Sequence, residues 1–304
     1  AHVVARHETL RSGFLWQGGL RQPLQVVQRQ VPTEVRVIEG ETDVIAFAER
    51  DRAAGFDLAR PPLQRMSLLA LGEGRWQLVW TMHHLVTDGW SGAQLIKEVL
   101  QVYAGERLPA PVARYADYIA WLQRQDGDAA EAFWRQRLAG LDEPCLLADS
   151  LPRPAAGSGH GVTYSHCDAA ETERLRVFAR QQRVTLNTLL QGAWLLLLQR
   201  YTGKQRVTFG ATVAGRPTSL AGAETLLGLF INTLPVVQAP ALDAGLGDWL
   251  REIQAYNLEV REFEHTPLYD IQRWAGHGGQ ELFDSIIVFE NYPVDQALRR
   301  GGGD

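Results

Sequence analysis

Two adjacent histidines, His83 and His84, followed by Asp88 and Gly89, are the residues whose types and spacing best suit proton-transfer chemistry. Imidazole changes charge closer to neutral pH than any other unperturbed side chain, so a histidine can take a proton from an attacking nucleophile. It can equally position a nucleophile through a hydrogen bond without taking its proton. Residue type leaves both roles open. Asp88 is a candidate by its place beside the histidines, yet a carboxylate in a turn beneath a site usually pairs with an arginine. Ser91 could be mistaken for a nucleophile, but no serine or cysteine stands in a recognisable triad setting.

These residues need a rigid platform. Arg75 to Thr81 reads as a strand, with Trp76, Leu78, Trp80 and Met82 alternating against Gln77, Val79 and Thr81. Extending that period of two puts His84 on the tryptophan side and His83 on the opposite face, where a structural hydrogen bond is the expected role for His83. Asp88-Gly89 reads as a tight turn, where Gly89 either leaves room for a ligand or supplies a positive φ. Ser91 with Gln94 reads as a capping box opening a helix, whose apolar stripe is Leu95, Ile96, Val99, Leu100 and Tyr103 and which ends at Gly105.

Around this platform the pattern alternates between strands and helices. The opening run from Ala5 to Phe14 begins inside an element, as a piece of a longer chain would. Gln25 to Ile38 reads as a strand pair around Pro32, Thr42 to Ala54 as a helix, and Leu63 to Leu71 as a strand entering a hairpin at Gly72-Glu73-Gly74. Helices are expected over Tyr115 to Arg124 and Ala129 to Leu138, with Tyr115 and Trp121 spaced as core residues. The Pro- and Gly-rich stretch from Leu141 to Gly161 marks a boundary, giving lobes 1–150 and 151–304. In the second lobe, strands are expected at Val162 to His166, Arg206 to Val213, Phe230 to Val237 and Leu282 to Glu290. Helices are expected from Asp168, capped with Glu171, to Gln182, from Thr185 or Asn187 through Tyr201, and over Leu246 to Glu262. In the second of these, Leu189, Leu190, Ala193, Trp194 and Leu197 are the expected buried face. Two α/β lobes of similar make-up follow from this alternation.

Composition narrows the function. A chain of 304 residues with 45% hydrophobic residues can bury a sizeable core. A formal charge of −5 argues against nucleic-acid binding, whose footprint is a basic patch. No apolar run of about 18 residues is present to span a membrane, and Ala1 to Phe14 lacks the apolar centre of a signal peptide. Cys145 and Cys167 have no metal-pair spacing and read as free thiols in a reducing cytoplasm. The scarcity of lysine (Lys97 and Lys204) beside abundant arginine reads as compositional bias.

His83-His84-Leu85-Val86-Thr87-Asp88-Gly89 resembles the HHxxxDG signature of nonribosomal peptide synthetase condensation domains. Arg6-His7-Glu8-Thr9-Leu10-Arg11 is similar to the family's RHExLR motif, and Tyr115 to Trp121 to its YxDFAxW motif. Leu227-Gly228-Leu229-Phe230-Ile231-Asn232-Thr233-Leu234 resembles its GxFxNTL motif. Four motifs in order cover most of the chain. There are departures: the family's first motif would lie upstream of Ala1, His265 to Asp270 matches the sixth motif loosely, and Leu282-Phe283-Asp284-Ser285 replaces the arginine-rich seventh. The family continues beyond Asp304, so both ends read as missing.

The resemblance implies two chloramphenicol-acetyltransferase-like lobes in a V-shaped pseudo-dimer around a central tunnel. It implies peptide-bond formation, with the amine of a carrier-bound acceptor aminoacyl group attacking a carrier-bound donor thioester. The 4'-phosphopantetheine arms belong to donor and acceptor peptidyl carrier domains, so no cofactor is bound directly and no metal is expected. An adjacent adenylation domain is a further implied partner, whereas nucleic acid and membrane are not. By the same resemblance, Asp88 would pair with an arginine across the lobes, with Arg216 as the candidate, and Trp90, Ser91, Asn232 and Thr233 would line the tunnel. The competing readings are an epimerisation domain, disfavoured because no EGHGR-like motif is present, a catalytically silent carrier-docking domain, and a free-standing acyltransferase. The stretches at Gly215 to Pro217, Phe230 to Pro235 and Phe289 to Pro293 resemble domains that accept a D-configured donor.

Overall fold

The computed structural model describes residues 1–152, 161–240, 245–276 and 278–290. It is mixed α/β, as the alternating pattern requires, and divides into two compact units. The first comprises Ala1–Arg124 with Arg216–Phe230, the second Gln125–Gly215 with Ile231–Glu290. The units therefore part at 124/125 rather than 150/151. The chain also enters the first unit a second time, through a segment that the expected division assigned to the second lobe. Residues 153–160, the heart of the expected boundary, lie outside the described residues, as do Asn291, Tyr292 and Pro293.

In the first unit, helix α1 (His2–Arg6) leads through a 3-10 turn into strand β1 (Ser12–Leu15), which pairs antiparallel with β2 (Leu24–Val27). Strand β3 (Val35–Ile38) runs parallel to β4 (Gln64–Gly72), and β4 pairs antiparallel with β5 (Arg75–Met82), giving the sheet order β3-β4-β5. The expected strand pair around Pro32 is thus two strands in two different sheets. The β4–β5 hairpin turns through Gly72, Glu73 and Gly74, all at positive φ, which explains the two glycines. Helix α2 (Val44–Ala53) is capped by the Asp43 side chain. Helices α3 (Gly89–Tyr103) and α4 (Tyr115–Leu122) complete the unit with the segment 216–230.

The second unit holds α5 (Gly127–Leu138), α6 (Ala169–Gln182), α7 (Leu186–Thr202), α8 (Leu246–Val260) and α9 (Leu268–Trp274). They pack with a sheet ordered β7-β6-β8, built from β6 (Val207–Val213), β7 (Asn232–Gln238) and β8 (Ile286–Ile287). Its core is continuous, with Trp134, Leu195, Phe209, Leu250 and Ile253 fully buried. The Asp168–Glu171 capping box on α6 forms as its spacing predicts. Two expected strands do not: 162–166 has no strand pairing, and only Ile286–Ile287 of the closing run joins the sheet.

The buried faces of two helices also differ from expectation. In α7 the buried residues are Thr188, Gln191, Gly192, Leu195 and Leu198, whereas Leu190 and Leu197 are exposed. A helix rich in leucine all round has no unique apolar face, so packing partners choose it. Gly192 marks the chosen side, since a Cβ there would meet Leu250 and Trp249 of α8. In α3 the buried face is Ser91, Leu95 and Glu98, and Tyr103 is almost fully exposed. Ser91 and Glu98 are polar, so hydrophobic periodicity could not find them.

Candidate functional site

Strand β5 ends because its partner does. His83 N donates to Leu63 O at 3.0 Å, and beyond that point β4 offers no further backbone, so the chain turns away. His83 keeps an extended backbone, but His84–Val86 forms a single 3-10 turn. The period of two therefore stops at His83, and the face assigned to His84 by extending it does not apply.

The same turn gives the two imidazoles opposite tautomers. Nδ1 of His84 lies 3.1 Å from the Thr87 carbonyl oxygen, which can only accept, so Nδ1 carries the proton. In the neutral ring this leaves the lone pair on Nε2, and the His84 side chain is exposed. Nδ1 of His83 instead accepts from Leu85 N at 3.1 Å, which puts its proton on Nε2. The His83 ring is half-buried, edge-on to Phe56 with centroids 6.3 Å apart. His84 thus presents a proton acceptor to solvent, while His83 braces the turn.

Asp88 is the N-cap of α3, replacing the expected turn at Asp88-Gly89 and the expected cap at Ser91. Its Oδ1 accepts from Ser91 N at 2.7 Å, satisfying a donor that the helix leaves open. Gly89 is the first helical residue and has no positive φ, so its turn-glycine reading is not realised. Oδ1 of Asp88 also accepts from Arg216 Nη2 at 3.2 Å, and Oδ2 accepts from Phe230 N at 3.0 Å. Both oxygens are committed, and the residue is buried.

Arg216 reaches Asp88 within one unit, not across two, because the segment 216–230 belongs with residues 1–124. Its Nη1 donates to the carbonyls of Ala223 at 2.6 Å and Leu226 at 2.9 Å, and Nη2 also donates to Ser91 Oγ at 2.9 Å. The guanidinium lies 4.1 Å over the Phe230 ring. Burial pulls its pKa down, and the charge of Asp88 opposes that pull. Ser91 Oγ donates to Gly228 O at 2.8 Å and accepts from Gly228 N at 3.1 Å, so its hydroxyl is fully engaged. Trp90 donates from its indole to Glu224 O at 2.9 Å. Asp88, Trp90 and Ser91 together fasten the start of α3 to the returning segment.

Tyr115 and Tyr118 on α4 finish this clasp. Tyr115 donates to Leu229 O at 2.6 Å, and burial pushes its phenol up. A Cβ on Gly228 would overlap the Tyr115 ring, so the glycine exists for that close approach. Phe230 packs against both tyrosines. The other two expected site residues lie in the second unit. The Asn232 amide donates to the carbonyls of Glu264 at 2.9 Å and Thr266 at 2.6 Å, and its oxygen accepts from Thr233 N. That chemistry is spent on backbone.

Residue patterning missed one buried polar cluster. Glu98 Oε2 lies 2.6 Å from His7 Nε2 and 3.3 Å from Arg6 Nε, and Oε1 accepts from Gln94 at 3.2 Å. Burial raises the Glu98 carboxyl pKa, but the bond and charge of His7, with Gln94 and Arg6, outweigh it and hold the group low. The available signal was a glutamate two helical turns after Ser91, on the same face. Cys145 is buried, Cys167 is exposed, and both are free. Among the described residues, no His, Cys, Asp and Glu cluster is placed to hold a metal, and no helix is long and apolar enough to cross a membrane.

A family model described as "Condensation domain" matches residues 1–301. One of the linear gramicidin synthase proteins of Brevibacillus parabrevis is 41% identical over 315 residues, covering 99% of this chain and 6% of that protein. Chondramide synthase cmdD of Chondromyces crocatus is also 41% identical, over 99% of this chain and 8% of its own length. The chain thus spans less than a tenth of either relative. Among solved structures, the first condensation domain of the calcium-dependent antibiotic synthetase, in complex with a substrate analogue, superposes with a TM-score of 0.74. It covers 95% of this chain and 71% of its own, at 22% identity, a likeness that speaks to the fold.

Proposed function

Because the chain belongs to the condensation-domain family, we propose that it forms a peptide bond between two carrier-bound groups within a cytoplasmic nonribosomal peptide synthetase. The amine of an acceptor aminoacyl thioester attacks the carbonyl carbon of a donor aminoacyl or peptidyl thioester. The new C–N bond forms, the donor C–S bond breaks, and the departing thiolate takes up the proton lost by the amine. Each substrate rides on the 4'-phosphopantetheine arm of a peptidyl carrier domain, and an adenylation domain supplies the activated amino acid.

One observation carries the role of His84: Thr87 O holds the Nδ1 proton of this exposed residue, so in the neutral ring Nε2 bears the lone pair. That atom accepts a hydrogen bond from the acceptor amine and takes its proton as the C–N bond forms. His83 and Asp88 act as positioning residues. The first braces the turn through Leu85 N, and the second fixes where α3 begins. Gly89 and Trp90, following directly, flank the approach of an arm.

The test mixes the protein with an aminoacyl-loaded donor carrier and an aminoacyl-loaded acceptor carrier and weighs the acceptor by intact mass spectrometry. A dipeptidyl mass that forms about 10²-fold to 10⁴-fold more slowly with His84→Ala is the expected result. The His84 side chain is exposed and its ring is held by a single hydrogen bond to Thr87 O, so the variant should melt with the parent. An inverted α-carbon without a mass change would replace this reading with epimerisation. Neither change, across several amino-acid pairs, would replace it with carrier docking.

A further inference from the structure

Phe56 is a half-buried aromatic that packs with no buried hydrophobic cluster among the described residues. Its neighbours, all within the first unit, account for it. Helix α2 ends at Ala53, and Gly55, at a φ of +61°, turns the chain so that Phe56 comes back to the sheet. Arg65 of β4 fixes that return. Its guanidinium grips the Asp51 carboxylate with two donors, Nε to Oδ1 at 3.1 Å and Nη2 to Oδ2 at 3.1 Å, while Nη1 donates to Gly55 O at 2.5 Å. The same group lies 4.2 Å over the Phe56 ring, so one cation sets both the end of the helix and the ring.

Across the ladder Arg65 faces Thr81. His83 follows Thr81 by two residues with its backbone still extended, which brings its ring out on the same face. There it meets Phe56, with the two rings nearly perpendicular at 84°. The orientation of that imidazole matters, because its Nδ1 caps the 3-10 turn by accepting from Leu85 N. Turning the ring over would put a carbon where Nδ1 stands and leave Leu85 N without its acceptor. His83 is only half-buried, so water competes for Nδ1, and the Phe56 ring is the wall that resists the flip. The turn held in this way is the one that aims Thr87 O at His84 Nδ1. We propose that Phe56, seated under Arg65, is a positioning residue that locks the His83 ring and, through it, the turn presenting His84. Its consequence for catalysis rests on the role of His84 proposed above.

The experiment labels the histidines with ¹⁵N and reads, by long-range ¹H–¹⁵N correlation, which nitrogen of each neutral ring holds the proton. At about pH 8.5 an imidazole with the reference pKa of about 6.5 is almost entirely neutral. The two signals are assigned by their loss in His83→Gln and in His84→Ala. The parent should show His83 protonated on Nε2 and His84 on Nδ1. Phe56→Ala should turn both into tautomer mixtures and slow dipeptide formation about tenfold to 10²-fold in kcat, with KM for the loaded acceptor carrier unchanged. Phe56→Tyr keeps a ring against His83 and should restore both readouts, whereas Phe56→Leu keeps apolar bulk without a ring and should not. All three variants should melt close to the parent, because Phe56 lies outside the buried clusters. Parental tautomers in a folded Phe56→Ala protein, or a rate loss that Phe56→Leu repairs as well as Phe56→Tyr does, would overturn the proposal. The tautomer measurement needs no carrier, so it decides the role of Phe56 even if His84→Ala leaves the dipeptide rate intact, a result that would sink the reading of His84 instead.

Discussion

Asp88→Ala separates a structural carboxylate from a chemical one. The substitution removes three accepted hydrogen bonds, from Ser91 N at 2.7 Å, Phe230 N at 3.0 Å and Arg216 Nη2 at 3.2 Å. The Arg216 side chain is 7% exposed, so its charge is stranded where water cannot reach it. Removing one partner of a buried pair costs about 3–5 kcal/mol, and losing an N-cap about 1 kcal/mol. These contributions overlap at one carboxylate, so a total of about 4–5 kcal/mol is expected. At about 2–4 °C per kcal/mol for a domain of this size, the melting midpoint of the first unit falls by roughly 8–20 °C. Arg216→Met removes the stranded charge, so the double variant should be at least about 2 kcal/mol more stable than the two single effects predict. The assay is urea unfolding followed by circular dichroism, beside dipeptide formation at a temperature where the single variant stays folded. An Asp88→Ala protein that unfolds within about 1 kcal/mol of the parent, shows no coupling to Arg216, and yet makes no dipeptide would refute the structural role.

Gly228→Ala drives a methyl group into the Tyr115 ring and should destabilise by about 1–3 kcal/mol, with Tyr115→Leu recovering part of the loss in the same unfolding assay. Glu98, which is buried, and Glu264, which is partly buried, should pull the pH dependence of stability in opposite directions. Glu98 is held below the ordinary carboxylate range, so its contribution is full above its unfolded pKa and lost as pH falls through the folded one. Glu98→Gln should therefore flatten the acid limb of the melting-temperature curve. Glu264 is pushed up by burial against the bond from Gly215 N, so its stabilisation is full below its unfolded pKa and lost as pH rises through the folded one. Glu264→Gln should accordingly raise the midpoint at neutral pH and leave it little changed in acid.

Patterns confined to a few neighbours in sequence were legible. The hairpin at Gly72-Glu73-Gly74, the strand into His83 and the Asp168–Glu171 cap are such patterns, because glycine at positive φ, period-two alternation and a capping box act over two to four residues. The helices α5 to α8 were placed with small errors at their ends for the same reason. The motif around His83 to Gly89 located the candidate site without showing its geometry. Nothing local could tell that β4 runs out at Leu63, which ends β5 and sends His84 into a 3-10 turn. Nor could it choose Asp88 over Ser91 as the cap. That choice rests on Arg216, 128 residues away, and on the Phe230 N–H, 142 residues away, which together take up the remaining lone pairs of Asp88.

By itself, the amino-acid sequence determined most of the element types, the mixed α/β class and the family, because these depend on local propensity, periodicity and short motifs. Only the tertiary structure decided which face of α7 is buried, which unit receives Arg216, and which nitrogen of His84 holds the lone pair. Each of those is settled by a partner distant in the chain, or by the carbonyl that a fold-dependent turn aims at the ring. A one-dimensional pattern carries no record of where such partners meet.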